Sequence, residues 1–142
     1  MQFDPENHIV KLCTQGMEFE GRGEKEKASL IFQQAWNESS DATEKFIAAH
    51  YLARHQETIA AKLHWDQTAL KLALQVADES VQSNYPSLYL NIAKCFEDMA
   101  EFDMAKDHYL QAHVFASFLP EDGYGKMIKS GIDKGLERVS KR

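Results

Sequence analysis

The sequence predicts an all-α fold of three successive helix pairs and one closing helix, and three observations carry it. One pattern of small and large residues recurs along the chain. It reads Leu12, Gly16, Phe19, Gly23, Ala28, Phe32, Ala35; then Ala48, Ala49, Leu52, Ala61, Trp65, Ala69; then Tyr89, Ile92, Ala93, Phe96, Ala100, Ala105, Tyr109, Ala112. Each pass sets a small residue a helical turn or less before a large one and repeats the pairing in a second segment. Secondly, only three Pro and seven Gly interrupt 142 residues, which leaves long stretches open to helix. Thirdly, turn and cap residues fall between the segments.

Taken in order, Asp4-Pro5 is a helix start, an acidic N-cap followed by Pro at the first helical position. The first helix runs to about Phe19, Gly21-Arg22-Gly23 makes the turn, and the second helix covers about Glu24 to Asn37. Asp41-Ala42-Thr43-Glu44 reads as a capping box, with Glu44 reaching back to the cap, and opens a third helix ending near His55. The fourth begins near Thr58. The interval from Ala61 to Ala105 is longer than that from Ala28 to Ala61, and the surplus lies between Leu70 and Pro86. Residues 70–77 are strong helix formers, so the fourth helix is expected to continue for two or more further turns, until Ser83-Asn84-Tyr85-Pro86 stops it. Pro86 opens the fifth helix, Ala100-Glu101-Phe102 turns the chain, and Asp103 caps the sixth. After a loop over residues 119–125, a last helix is expected from Lys126 to Ser140. Its stripe of Ile128, Ile132, Leu136 and Val139 lies on one face, and Gly131 and Gly135 would admit a neighbouring backbone.

The order of these residues resembles the tetratricopeptide pattern, W-x2-L-G-x2-Y and then A-x3-F in a helix–turn–helix unit. The resemblance spans about residues 9–118, in repeats of about 9–41, 42–85 and 86–118, the second extended. Repeat two departs from the pattern at Lys45 and Thr68. The resemblance implies a single domain over 1–142: a right-handed tetratricopeptide-like superhelix, or α-solenoid, closed by a capping helix at about 126–140. In it Gly16, Ala49 and Ala93 let paired helices approach. Ala28, Ala61 and Ala105 admit the next helix, and Phe32, Trp65 and Tyr109 wedge between repeats. Burying each such aromatic contributes about 1.5–3 kcal/mol.

Composition narrows the function. Apolar residues at 44% and charged residues at 27% suit a soluble globular chain. No apolar run is long enough to span a membrane, and the first residues lack the basic and apolar regions of a secretory signal. A cytoplasmic location is therefore expected. Cys13 and Cys95 fall in repeats one and three, too far apart to bridge. The net charge of −6 argues against general nucleic-acid binding, although from Tyr124 onward there are six Lys/Arg against two Asp/Glu. Of six histidines, His50 and His55 are five apart, as are His108 and His113, so no pair has the helical spacing of a metal site. Asn84-Tyr85-Pro86-Ser87 faintly resembles an adenine-methyltransferase loop, but it lies between helices and no Gly-rich cofactor loop accompanies it. No cofactor, metal or catalytic constellation is expected.

The family resemblance places ligands against the first helix of each repeat. The inward candidates are Cys13, Met17 and Glu20; Phe46, His50 and Arg54; and Leu90, Lys94 and Glu97. The basic clamp of the chaperone-tail-binding members is missing. Its positions hold Cys13, Met17, Ile47, Ser87 and Asn91, of which only Asn91 is of a suitable polar class. Met17, Phe46 and Leu90 form instead an apolar strip suited to an amphipathic helix, or pack on adjacent helices or the closing helix. The expected function is a non-catalytic adaptor that binds a protein or peptide segment. Two other classes are open. One is a self-associating module, a homodimer, using Leu70, Leu72, Leu74, Val76 and Val81. The other is an accessory subunit of an RNA or methylation enzyme, using the basic last helix.

Overall fold

The computed structural model describes residues 3–142. Seven α-helices run in order: α1 (His8–Gly21), α2 (Lys25–Glu38), α3 (Ala42–Ala53), α4 (Ile59–Gln75), α5 (Tyr85–Asp98), α6 (Phe102–Val114) and α7 (Gly123–Ser140). Short 3-10 helices lie at Glu79–Asn84 and Ala116–Phe118. No strand occurs among the described residues. The helices form two compact units, residues 3–77 with α1–α4 and residues 78–142 with α5–α7. Within each unit, consecutive helices pack on one another.

In the first unit, α1 starts later than Asp4-Pro5 suggests. Asn7 is the cap, its side chain accepting from the N–H groups of Ile9 and Val10 at 2.8 and 3.1 Å. Asp4 instead closes a turn ahead of the helix, accepting from the Glu6 N–H at 2.9 Å. The α1–α2 turn is closed by the Glu24 N–H donating to the Phe19 carbonyl at 2.9 Å, with Gly23 at φ +76°. That left-handed backbone favours glycine. A Cβ on Gly16 would strike the Phe32 ring, so the bare α1 backbone is what lets fully buried Phe32 lie against it. Asp41 caps α3, accepting from the Glu44 N–H at 2.8 Å. Glu44 reaches back one residue beyond the cap, to the Ser40 N–H at 2.8 Å. Thr58 caps α4.

Helix α4 ends at Gln75, short of the extension that its helix formers predict. Val76 and Asp78 are extended, and the Asp78 carboxylate accepts from the Ser80 N–H at 2.9 Å. That side chain offers the backbone an alternative to further α-helix, and the chain continues as 3-10 helix. In the second unit Pro86 sits in the first turn of α5, as expected. Asp103 lies inside α6 rather than capping it; Glu101 precedes the helix and makes no side-chain cap bond. The α5–α6 turn repeats the α1–α2 turn, with the Glu101 N–H donating to the Phe96 carbonyl at 2.9 Å and Ala100 at φ +60°. Helix α7 begins at Gly123 because Asp122 caps it, accepting from the Gly125 N–H at 2.9 Å. A Cβ on Gly125 would collide with the Pro120 carbonyl, which makes glycine obligatory there. The stripe on α7 faces inward: Ile128, Ile132 and Val139 are buried and Leu136 half-buried, with Ala112 and Leu119 joining Ile128 and Ile132 in one apolar cluster.

Candidate functional site

The inward candidates of the first unit separate into buried and accessible groups. Cys13 is buried, and burial pushes its thiol up to about 12, which leaves it an unreactive apolar filler. Phe46 is 2% exposed and meets the Phe3 ring edge-on at 5.9 Å. Met17 stands at the surface, 38% exposed. His50 is half-buried with Nδ1 enclosed and without a hydrogen-bond partner. Burial first, then the positive charges of Arg54 and Lys62, lower its pKa to about 4, so the ring is neutral near pH 7. Arg54 lies over the Tyr51 ring at 4.7 Å.

Glu20 ties the end of α1 to the end of α3. Its carboxylate accepts from Arg54 Nη1 at 3.1 Å, and His55 Nε2 lies 2.8 Å from its other oxygen. At the opposite end Asn7, before α1, donates to Glu44 of α3 at 2.9 Å. The two helices therefore run side by side in the same direction. Arg54 and His55 also line a shallow cleft of about 370 Å³ with Lys25, Ser29 and Glu57.

The second unit repeats this plan with different chemistry. Glu97 accepts from Tyr109 Oη at 2.6 Å and takes a bidentate pair from Arg138, Nε at 2.7 Å and Nη2 at 3.0 Å. The Arg138 hydrogen bond, with that of Tyr109, holds the Glu97 carboxyl down at about 2 against its desolvation. Burial and the facing carboxylate raise the Tyr109 phenol in turn. Leu90 is half-buried against the α7 cluster, and a Cβ on Gly131 would lie 3.2 Å from its Cδ2. The two contacts, Leu90 with Gly131 and Glu97 with Arg138, advance by the same number of residues along each helix. Helices α5 and α7 are thus parallel neighbours. Lys94 is exposed and donates to Asp98 at 2.7 Å.

The glycines of α7 seat side chains where the sequence suggested backbone: Gly131 faces Leu90, and Gly135 lies under the ring of Tyr109, where a Cβ would clash. The roles of Arg138 and Tyr109 at Glu97 are absent from the sequence reading. The available signal was that Glu20 and Glu97 hold the same place relative to Phe19 and Phe96. Asn84 ends a 3-10 helix and Tyr85, Pro86 and Ser87 form the buried first turn of α5. Among the described residues no group of three or more His, Cys, Asp or Glu is arranged to hold a metal ion. Both cysteines are buried and outside any disulfide. Of the apolar residues considered for self-association, Val81 is buried, Leu70, Leu72 and Val76 are half-buried, and Leu74 is exposed. No helix is long and apolar enough to cross a membrane among the described residues.

Comparisons with protein-family models, curated proteins and solved structures returned no match.

Proposed function

We propose that this chain is a tetratricopeptide-like right-handed superhelix that acts as a non-catalytic, cytoplasmic adaptor for a segment of another protein. The observation that carries the reading is the duplicated plan. In each unit a helix pair is followed by a third helix packed on both of its members: α3 on α1 and α2, α7 on α5 and α6. Gly16 and Ala93, Phe19 and Phe96, Gly23 and Ala100, Ala28 and Ala105, and Phe32 and Tyr109 hold matching places in the two pairs. A fold of stacked pairs leaves the first-helix faces available to a ligand. In the first unit Met17 and Arg54 are exposed, with half-buried His50 and with Phe46 and Cys13 buried; in the second, Lys94 is exposed.

The test is stoichiometric capture of a defined chain from the native host by the full-length protein, set beside the variants Met17→Glu and Arg54→Glu. Both positions are exposed, so the helical circular dichroism signal should persist while capture falls. Capture that survives both substitutions with the fold intact rejects this face. Phe46 is unsuitable for the purpose, because charging a buried ring position unfolds the unit rather than probing its surface.

A further inference from the structure

The correspondence between the two units extends from the paired helices to the third. Tyr51 of α3 lies on the Phe32 ring as Gly135 of α7 lies under that of Tyr109, and Arg54 reaches Glu20 as Arg138 reaches Glu97. Both matches set the same register of α7 on α3. In it Lys129 holds the place of Lys45, Ile132 that of Ala48 and Asp133 that of Ala49. In the paired helices, the register that matches Phe32 with Tyr109 matches Trp36 with His113.

What these places hold differs. In the first unit the Trp36 ring lies at the end of α2, with Lys45 Nζ over it at 5.2 Å and Trp65 of α4 against it edge to face at 4.9 Å. In the second unit the matching place is a cavity of about 330 Å³, lined by His113, Ala116, Ser117, Lys129, Ile132 and Asp133. That volume is at the small end of the range for ligand pockets. Buried Ile132 and half-buried Ala116 give it an apolar floor. None of the side chains of His113, Ser117, Lys129 and Asp133 has a hydrogen-bond or ionic partner among the described residues, although Lys129 and Asp133 stand one helical turn apart.

We infer that this cavity between α6 and α7 takes a tryptophan side chain presented by a helix of a partner protein. The ring lies on Ile132 and Ala116, in the place that Trp36 holds in the first unit. Lys129 covers its face as Lys45 covers Trp36, and the Asp133 carboxylate accepts from the indole N–H. The cation and the anion of the cavity balance, so a neutral ring with one donor suits it better than a charged ligand. An outside helix is the carrier because the first unit closes this corner with α4, which brings Trp65 against Trp36, whereas the second unit holds only α5–α7. The site is separate from the first-helix face and does not depend on it.

The experiment follows the amide resonances of the full-length, isotope-labelled protein through titrations with three probes. They are a helical peptide of alanine and glutamine with one central tryptophan, the same peptide with leucine there, and N-acetyltryptophanamide. The tryptophan peptide should bind about tenfold tighter than the leucine peptide and shift the signals of residues 113–117 and 129–133. Lys129→Ala and Asp133→Ala, both at exposed positions, should each weaken it several-fold with the melting curve unchanged. His113→Trp should abolish binding by filling the cavity from within, as Trp36 does. Should that variant disturb the melting curve, the two alanine variants carry the same expectation of weakened binding. Equal affinity for the two peptides, shifts confined to other residues, or alanine variants that bind like the parent chain overturn the inference. Binding that persists or tightens in a folded His113→Trp overturns the place assigned to the ring. N-acetyltryptophanamide that binds as tightly as the peptide overturns the partner helix as carrier.

Discussion

Phe32 and Tyr109 do the same job in the two halves of the chain and meet different neighbours. Phe32 lies against Gly16 behind it and stacks on Tyr51 of α3, ring centroids 5.2 Å apart. Tyr109 has Ala93 at the place of Gly16, and its ring presses instead on Gly135 of α7. The first unit opens space within the pair, fills it with the pair's own Phe32, and adds Tyr51 of the third helix against that ring. The second opens space in the third helix and fills it from the pair. The extra hydroxyl of Tyr109 then needs a buried acceptor, and Glu97 supplies it at 2.6 Å. Once Glu97 is committed in this way, a planar bidentate donor suits its remaining acceptor sites, and Arg138 provides one. Glu20, whose neighbour Phe32 has no hydroxyl, is held by Arg54 and His55. One ring substitution thus accounts for the different chemistry at two matching glutamates.

The largest effect should come from removing the space that Tyr109 occupies. Gly135→Val should destabilise the second unit by about 3 kcal/mol through overpacking. Tyr51→Val, which only trims the counterpart position, should cost about 1–2 kcal/mol. Thermal melts of both variants decide the order, and equal losses would erase the contrast drawn between the units.

Next come the glutamates. Glu97→Gln removes a charge-assisted bidentate pair at a largely buried carboxylate and should cost about 1.5–3 kcal/mol. Glu20→Gln should cost less, about 1 kcal/mol, because Glu20 is more exposed than Glu97 and takes a single hydrogen bond from Arg54 rather than a bidentate pair. Urea titrations test this, and the order fails if Glu20→Gln proves the more damaging.

Acid separates the units further. His50 has its folded pKa lowered to about 4 from 6.5, so its contribution is complete above pH 6.5 and is lost as pH falls toward 4. Glu97 is lowered from 4.5 to about 2, so its contribution is complete above pH 4.5 and is lost only toward pH 2. His50→Phe should flatten the stability profile between pH 6.5 and 4, and Glu97→Gln should flatten it below pH 4.5. Amide exchange, resolved by unit, is the measurement. A Glu97→Gln effect confined to the neutral range would contradict the assignment.

The smallest effects lie in the matching turns and should have opposite signs. Gly23→Ala places a Cβ on a left-handed backbone and should cost about 1 kcal/mol, with no steric contribution since nothing lies within 4 Å of that Cβ. Ala100→Gly relieves the same strain at the other turn and should stabilise by about 0.5–1 kcal/mol. A loss of stability in Ala100→Gly would mean that the two turns are not equivalent.

The sequence made the helices and most of the turns legible, because Gly23, Thr58, Pro86 and the recurrent small residues act through local backbone geometry. Competition between neighbouring local signals was harder to read. Asp4 and Asn7 are both good caps, and Asn7 prevails because its side chain satisfies two N–H groups at once. The helix formers at 70–77 gave no sign that Asp78 would redirect the chain into a 3-10 helix. At the candidate site, the resemblance grouped Met17, Arg54 and Lys94 with Cys13 and Phe46, and the structure divides them into exposed and buried residues. The burial of Phe46 and the seating of Leu90 depend on Phe3 and Gly131, which lie far from them in sequence. Likewise, no local pattern pairs Glu97 with Arg138, since that contact exists only once α7 lies beside α5.

Trp36 and Trp65 meet edge to face, centroids 4.9 Å apart, and they are the chain's two tryptophans. Both belong to the first unit, whereas Tyr85, Tyr89, Tyr109 and Tyr124 belong to the second. Indole fluorescence is therefore an optical label for half of the molecule, installed without any chemistry. An unfolding curve followed by that emission describes residues 3–77, and its separation from the far-ultraviolet helical signal measures how far the halves come apart independently.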